Sequence, residues 1–175
     1  MKRWFTLGLL LLSATSLFAK GVYQTPEAFI QEGFQGEPPA PKVIWLSQPL
    51  KETLANILGH SYRGLRVRYW GKGNRTAWVL NEIGKEKPIT IGVIVRAGQL
   101  EQVTILTFRE SRGGEVRYPS FTDQFINAKL KNDHDLDKPI DGISGATLSV
   151  RAVEKTAQLA LFLHQQTPFS NDEAQ

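Results

Sequence analysis

In the middle of the chain apolar residues alternate with polar ones over 64–70 and form a β-branched apolar run over 88–96, and near both ends they recur at helical spacing. Thr25-Pro26-Glu27 reads as a helix start, with a cap residue, Pro at the first helical position and an acid near the N-terminus. That helix should run to about Glu32 and stop at Gly33, before an extended linker over residues 36–41. Residues 43–46 read as a short strand, and 49–58 as a helix with Leu50, Leu54, Ile57 and Leu58 on one face and Gly59 at its end. A run of strands follows: 64–70, with Leu65, Val67 and Tyr69 sharing a face, then 76–83, 88–96 and 100–108. Lys72-Gly73-Asn74 and Ala97-Gly98-Gln99 are the turns of the run, and 112–115 is a loop. Residues 120–127 read as a short helix with Phe121 and Phe125 at i, i+4. A last helix spans 148 to about 165, with Thr147 or Ser149 starting it and Val150, Val153, Ala157, Ala160, Leu161 and His164 on its apolar face. Strands in the middle and helices at the ends predict an α+β domain with a mostly antiparallel sheet flanked by helices.

The first 19 residues break this pattern. MKRWFTLGLLLLSATSLFA has a cationic start, a short apolar run and a small residue at its exit, the layout of a secretory signal peptide. The apolar run is shorter than the roughly 20 residues a membrane span needs. Cleavage after Ala19 is the expectation, with an uncleaved N-terminal anchor as the alternative, and either places the protein at the extracytoplasmic face or in the periplasm. The chain is thus expected to comprise a signal peptide over 1–19, an N-terminal helical extension over 20–60, a domain over 61–166 and a disordered tail over 167–175.

Composition narrows the chemistry. The chain has no cysteine, which excludes disulfides, thiolate metal sites and cysteine nucleophiles. The formal net charge of +4 includes Lys2 and Arg3 of the leader, so about +2 remains, spread among acids, and no nucleic-acid partner is implied. Three histidines lie far apart without metal spacing, and the acidic run Asp133 to Asp137 lacks the glycine and terminal glutamate of a calcium loop. Lys72-Gly73-Asn74 lacks the layout of a phosphate-binding loop.

The informative stretch is Asp141-Gly142-Ile143-Ser144-Gly145-Ala146-Thr147-Leu148-Ser149. Its glycines let backbone turn tightly and approach a ligand. Its hydroxyls gather where a long helix begins, and the unpaired N–H groups of a helix N-terminus attract phosphate. By pattern alone these hydroxyls are helix caps first and a phosphate site second.

The same residues resemble the flavinylation motif of the FMN-binding domain family: Asp, two variable residues, Ser or Thr, Gly, Ala, then an acceptor Thr or Ser. That family includes peripheral subunits of the sodium-pumping quinone reductase, its ferredoxin-oxidising relatives and many small exported proteins. The resemblance implies FMN held covalently through a phosphoester on Thr147, with Asp141, Ser144, Gly145, Ala146 and Leu148 around it. It also implies a flavin transferase that uses FAD as the FMN donor and releases AMP, and a membrane-bound redox partner. Arg68-Tyr69-Trp70, Glu82-Ile83-Gly84-Lys85-Glu86 and Arg109-Glu110-Ser111-Arg112-Gly113 are similar to segments of small exported family members. In the quinone-reductase subunits the last of these loops reads Glu-Thr-Pro-Gly-Leu-Gly. Here Glu110, Ser111 and one glycine carry over, which makes Glu110 and Ser111 candidate flavin contacts.

Other candidates have simpler readings. Arg109, Arg112 and Arg117 could meet phosphate or flavin carbonyls but read first as solvated loop charges. Phe121, Phe125, Trp70 and Trp78 read as packing. No poised acid–base pair stands out, so the expectation is an electron carrier, not a turnover enzyme. A periplasmic flavin-dependent reductase of a small acceptor and a non-covalent FMN-binding or assembly module are the alternatives.

Overall fold

The computed structural model describes residues 21–131 and 134–170. The leader over 1–19, Asp133 and the tail beyond Ser170 therefore lie outside the described residues. Five strands form one antiparallel meander in the order β1-β2-β3-β4-β5: β1 Lys42–Trp45, β2 Arg66–Lys72, β3 Arg75–Ile83, β4 Pro88–Arg96 and β5 Gln99–Thr107. Helices flank this sheet, so the fold is the α+β class that the alternation predicts.

Alternation within the strands decides which helix meets which face. Val67, Tyr69, Trp78 and Leu80 face one way, into a core shared with α2 (Gln48–Leu58) and the long α4 (Thr147–Gln165). Tyr69 and Trp78, register partners on β2 and β3, stack with ring centroids 5.0 Å apart. Ala77, Ile94 and Leu106 face the other way, under α1 (Pro26–Gly33), whose Phe29, Ile30 and Phe34 complete a second, smaller cluster. α1 comes close because Gly92 leaves room: a Cβ there would sit 2.7 Å from the Phe29 ring.

Helix ends follow the sequence signals where a side chain or glycine provides them. The Thr25 hydroxyl accepts from Ala28 N–H at 3.1 Å, and Gly59 closes α2 at φ 75°. Lys155 of α4 donates to the Leu58 carbonyl, tying the end of α2 to α4.

Four local expectations differ. Leu65 precedes β2 and is 69% exposed, because pairing with β1 starts at Arg66. The helix expected over 120–127 is a single α turn, α3 (Pro119–Thr122), followed by a 3-10 turn over Asp123–Phe125, and Asn127 turns the chain at φ 65°. Thr167 to Ser170, expected in the tail, fold back instead: Thr167 is buried and Phe169 packs against Tyr69 and beneath Lys42. Finally, the portion expected as a helical extension supplies β1 and α2 to the same sheet and core. Among the described residues no helix is long and apolar enough to cross a membrane.

Candidate functional site

The chain from Ile140 to Ser149 is fixed by every third residue. Ile140 and Ile143 are partly buried against the main core, and Ala146 is buried. Between them Asp141, Gly142, Ser144, Gly145 and Thr147 are exposed. Small and polar types at those positions leave an accessible surface, and a Cβ at Gly142 or Gly145 would meet nothing within 4 Å. Gly145 sits at φ 81°, a left-handed conformation that glycine adopts without strain. The Asp141 N–H donates to Gln124 Oε1 at 2.7 Å, which pins the loop to the 3-10 turn below it.

Thr147 is the first residue of α4, and neither it nor Ser149 is the cap. The N-cap is Ala146, at φ −118°, with no side-chain cap bond. The structure thereby corrects the reading of these hydroxyls as caps. Alanine offers no acceptor, so the first-turn N–H groups are left to solvent or a ligand, and the Thr147 hydroxyl is not spent on them. Ser149, by contrast, is buried against the loop that follows β5. Leu148 beside them is 43% exposed.

That neighbouring loop is strongly positioned. Gly113 adopts φ 84°, and a Cβ there would lie 2.7 Å from Ser149 Oγ, so only glycine lets the loop close on α4. Glu110 Oε1 accepts from the N–H groups of Lys85, Glu86 and Lys87 at 2.6, 2.6 and 2.9 Å. Those amides hold its carboxyl below the usual carboxylate range. Arg109 donates to the Pro88 carbonyl and the Thr90 hydroxyl. Glu110 and Arg109, candidates for flavin contact by sequence, thus clamp their loop to the β3–β4 hairpin. Ser111 and Arg112 are exposed and make no hydrogen bond or ion pair among the described residues. Arg117 is held between the Tyr23 and Tyr118 hydroxyls at 2.7 and 2.8 Å, and so is spoken for.

The sequence pattern of the FMN-binding domain matches residues 84–161, from the hairpin turn that Glu110 clamps to the body of α4. That stretch belongs to the FMN-binding domain family. No curated protein matches the chain. The protein therefore has a flavin-binding function, and the matched stretch includes the Asp141–Thr147 motif and the Glu110 loop.

Packing accounts for the aromatic candidates. Phe121 and Phe125 are buried edge to face, 5.5 Å apart, and Trp78 is fully buried in the main core. Trp70 is half-buried on the opposite face of the sheet. Among the described residues no cluster of His, Asp and Glu is arranged to hold a metal ion.

Sequence reasoning missed three positioning features. The Lys85–Lys87 amides have no side-chain signature, though Gly84 beside them hints at close approach, since a Cβ there would lie 3.0 Å from Glu110 Oε1. Gln124 gives no signal at all. The third is a buried chain in which Trp78 Nε1 donates to Thr76 Oγ1, itself 2.8 Å from His164 Nδ1.

Proposed function

We propose that the protein is an exported electron carrier that holds FMN through a phosphoester on Thr147. One observation carries the reading: Thr147 presents an exposed hydroxyl at the start of α4, while a residue with no side-chain acceptor occupies the cap. A phosphate there would meet the unpaired first-turn N–H groups and the positive end of the helix dipole. The exposed small residues Ser144 and Gly145 give a flavin transferase access to that hydroxyl. When bound, the flavin supplies one- and two-electron redox chemistry, and the chain orients it and limits water access.

Each part of the loop has a role in this reading. Gly113 and Ser149 fix the loop against α4, Glu110 and Arg109 fix its other end, and Ser111 and Arg112 remain available to polar atoms of the cofactor. The leader over 1–19 supports export to the extracytoplasmic side. There the carrier would pass electrons between a membrane-bound reductase and an extracytoplasmic acceptor, in small transient encounters.

Intact mass tests the linkage. Coexpression with a flavin transferase should raise the mass of the chain by roughly one FMN residue. Thr147→Ala should abolish the increase and Thr147→Ser should retain it. An unchanged wild-type mass, with flavin released on denaturation, would favour the non-covalent module. Steady turnover of a small oxidant by the purified flavinylated protein would favour the reductase.

A further inference from the structure

The sheet face away from α4 is only partly covered. α1 lies over β3 and β4, where Phe29 fills the space above Gly92. The β1–β2 half of that face carries Val43, Trp45, Arg66, Arg68 and Trp70, since Val43 pairs with Arg68 and Trp45 with Arg66 in register. Between this half, α1 and the proline run lies a cleft of about 710 Å³. Ile30, Val79 and Trp70 give it an apolar floor, and Pro38, Pro39 and Pro41 form a wall. Arg66 and Arg68 line it as well.

Its volume falls within the roughly 300–1,000 Å³ of small-molecule sites. Proline walls lose little conformational freedom when a ligand arrives. The arginines bring positive charge to it. Arg75 and Arg96 on the neighbouring strands pair with Glu101, and Lys72 pairs with Glu37. Among the described residues Arg66 and Arg68 have no carboxylate. Arg66 instead rests over the Trp45 ring at 5.5 Å, which restrains its guanidinium and leaves its donors in plane. Glu27 on the α1 wall disfavours an anion at that side, so the cleft has polarity.

We propose that this cleft binds a planar amphipathic organic anion, its apolar body over Trp70, Val79 and the prolines and its acidic group on Arg66 and Arg68. A second copy of the chain would set arginine against arginine here, and an apolar ligand without charge would leave both guanidinium groups unused. The site lies on the opposite face of the sheet from the core that carries α4, so it is independent of flavin attachment.

The aromatic sulfonate 8-anilinonaphthalene-1-sulfonate, with its planar naphthalene body, is a suitable probe, titrated by fluorescence into the folded protein. One saturable site is expected, with binding weakened at least tenfold in Arg66→Ala/Arg68→Ala, whose exposed positions leave the circular dichroism spectrum unchanged. Uncharged N-phenyl-1-naphthylamine should bind at least tenfold more weakly than the sulfonate. Thr147→Ala should bind the sulfonate as the wild type does. Equal affinity in the double arginine variant, equal affinity for the uncharged probe, non-saturable uptake, or loss of the site in Thr147→Ala would each overturn the proposal.

Discussion

The two faces of the sheet are finished differently. On one, α2 and α4 cover strands β2 to β5 with a continuous core that includes Trp78, Leu80, Ile91, Val93 and most of the apolar side of α4. On the other, α1 closes a small cluster around Phe29 and leaves the β1–β2 half open. A helix packed along its length holds its first turn in one place, which a site at Thr147 requires. A face covered by one short helix can leave a cleft without weakening that support. Division of labour between the faces follows: rigidity under the Asp141–Thr147 segment, accessibility opposite.

Replacing the tryptophan on each face should expose this difference most strongly. Trp78→Ala removes a fully buried ring, its stacking on Tyr69 and its donation to Thr76, and should cost about 3–5 kcal/mol. Trp70→Ala, on the half-covered face, should cost about 1–2 kcal/mol. Urea unfolding midpoints read both. Similar costs would mean that the open face contributes as much to stability as the closed one.

Acid should act next, and on the closed face. His164 is fully buried, and its Nε2 has no partner among the described residues, so burial pushes its pKa down to about 4. The unfolded chain takes up that proton near 6.5 and the folded chain near 4. Unfolded molecules therefore bind more protons in between, and stability falls as pH drops from 6.5 to 4, then levels. The gap corresponds to at most about 3 kcal/mol. His164→Leu should flatten that limb of a stability–pH profile, and parallel profiles would refute the assignment. His60 has the opposite sign. Its hydrogen bond to Glu82 raises its pKa, so its smaller contribution is complete below 6.5 and lost as pH rises through the raised value.

Glu110 brings the comparison to the loop beside the motif. Its folded pKa is lowered by the three amides, so its contribution is present above 4.5 and lost as pH falls through the lowered value. Glu110→Gln keeps an oxygen acceptor but not its charge, and should cost about 1 kcal/mol at pH 7. The difference from wild type should shrink as pH falls through that lowered value. If Glu110 instead serves only the flavin, the apo protein will show no loss at pH 7.

How far the sequence reaches depends on where the information is stored. Alternation placed β2, where side-chain period and burial coincide, as in Val67 and Tyr69 against Arg66 and Arg68, while a β-branched apolar run placed β4, which is buried on both faces. Leu65 misled because its apolar character suggests burial, while the start of β1 pairing decides it. The motif was legible as a location, since Gly142 and Gly145 open the backbone and α4 follows. That Thr147 is free of capping was not legible, because caps are backbone geometry and Ala146 carries no signal. Glu110 was singled out as a flavin contact, whereas its carboxylate accepts from main-chain amides, which leave no trace in composition.

The smallest expected effect is the sharpest test of the open face. Trp45 is 66% exposed on the edge strand β1, whose outer side pairs with no strand among the described residues. Its ring meets Arg66 at an exposed site, so Trp45→Ser forfeits a cation–π contact worth about 0.5–1 kcal/mol. Serine also relieves an exposed aromatic surface, and surface changes of this kind stay within about 0.5 kcal/mol. Stability should hardly move, while the sulfonate probe should bind more weakly because Arg66 loses its restraint. A tryptophan kept for packing would give the reverse, a lower unfolding midpoint and unchanged probe affinity. A large aromatic residue that contributes to recognition and not to folding is what an open face predicts, and what the closed face, with Trp78, does not allow.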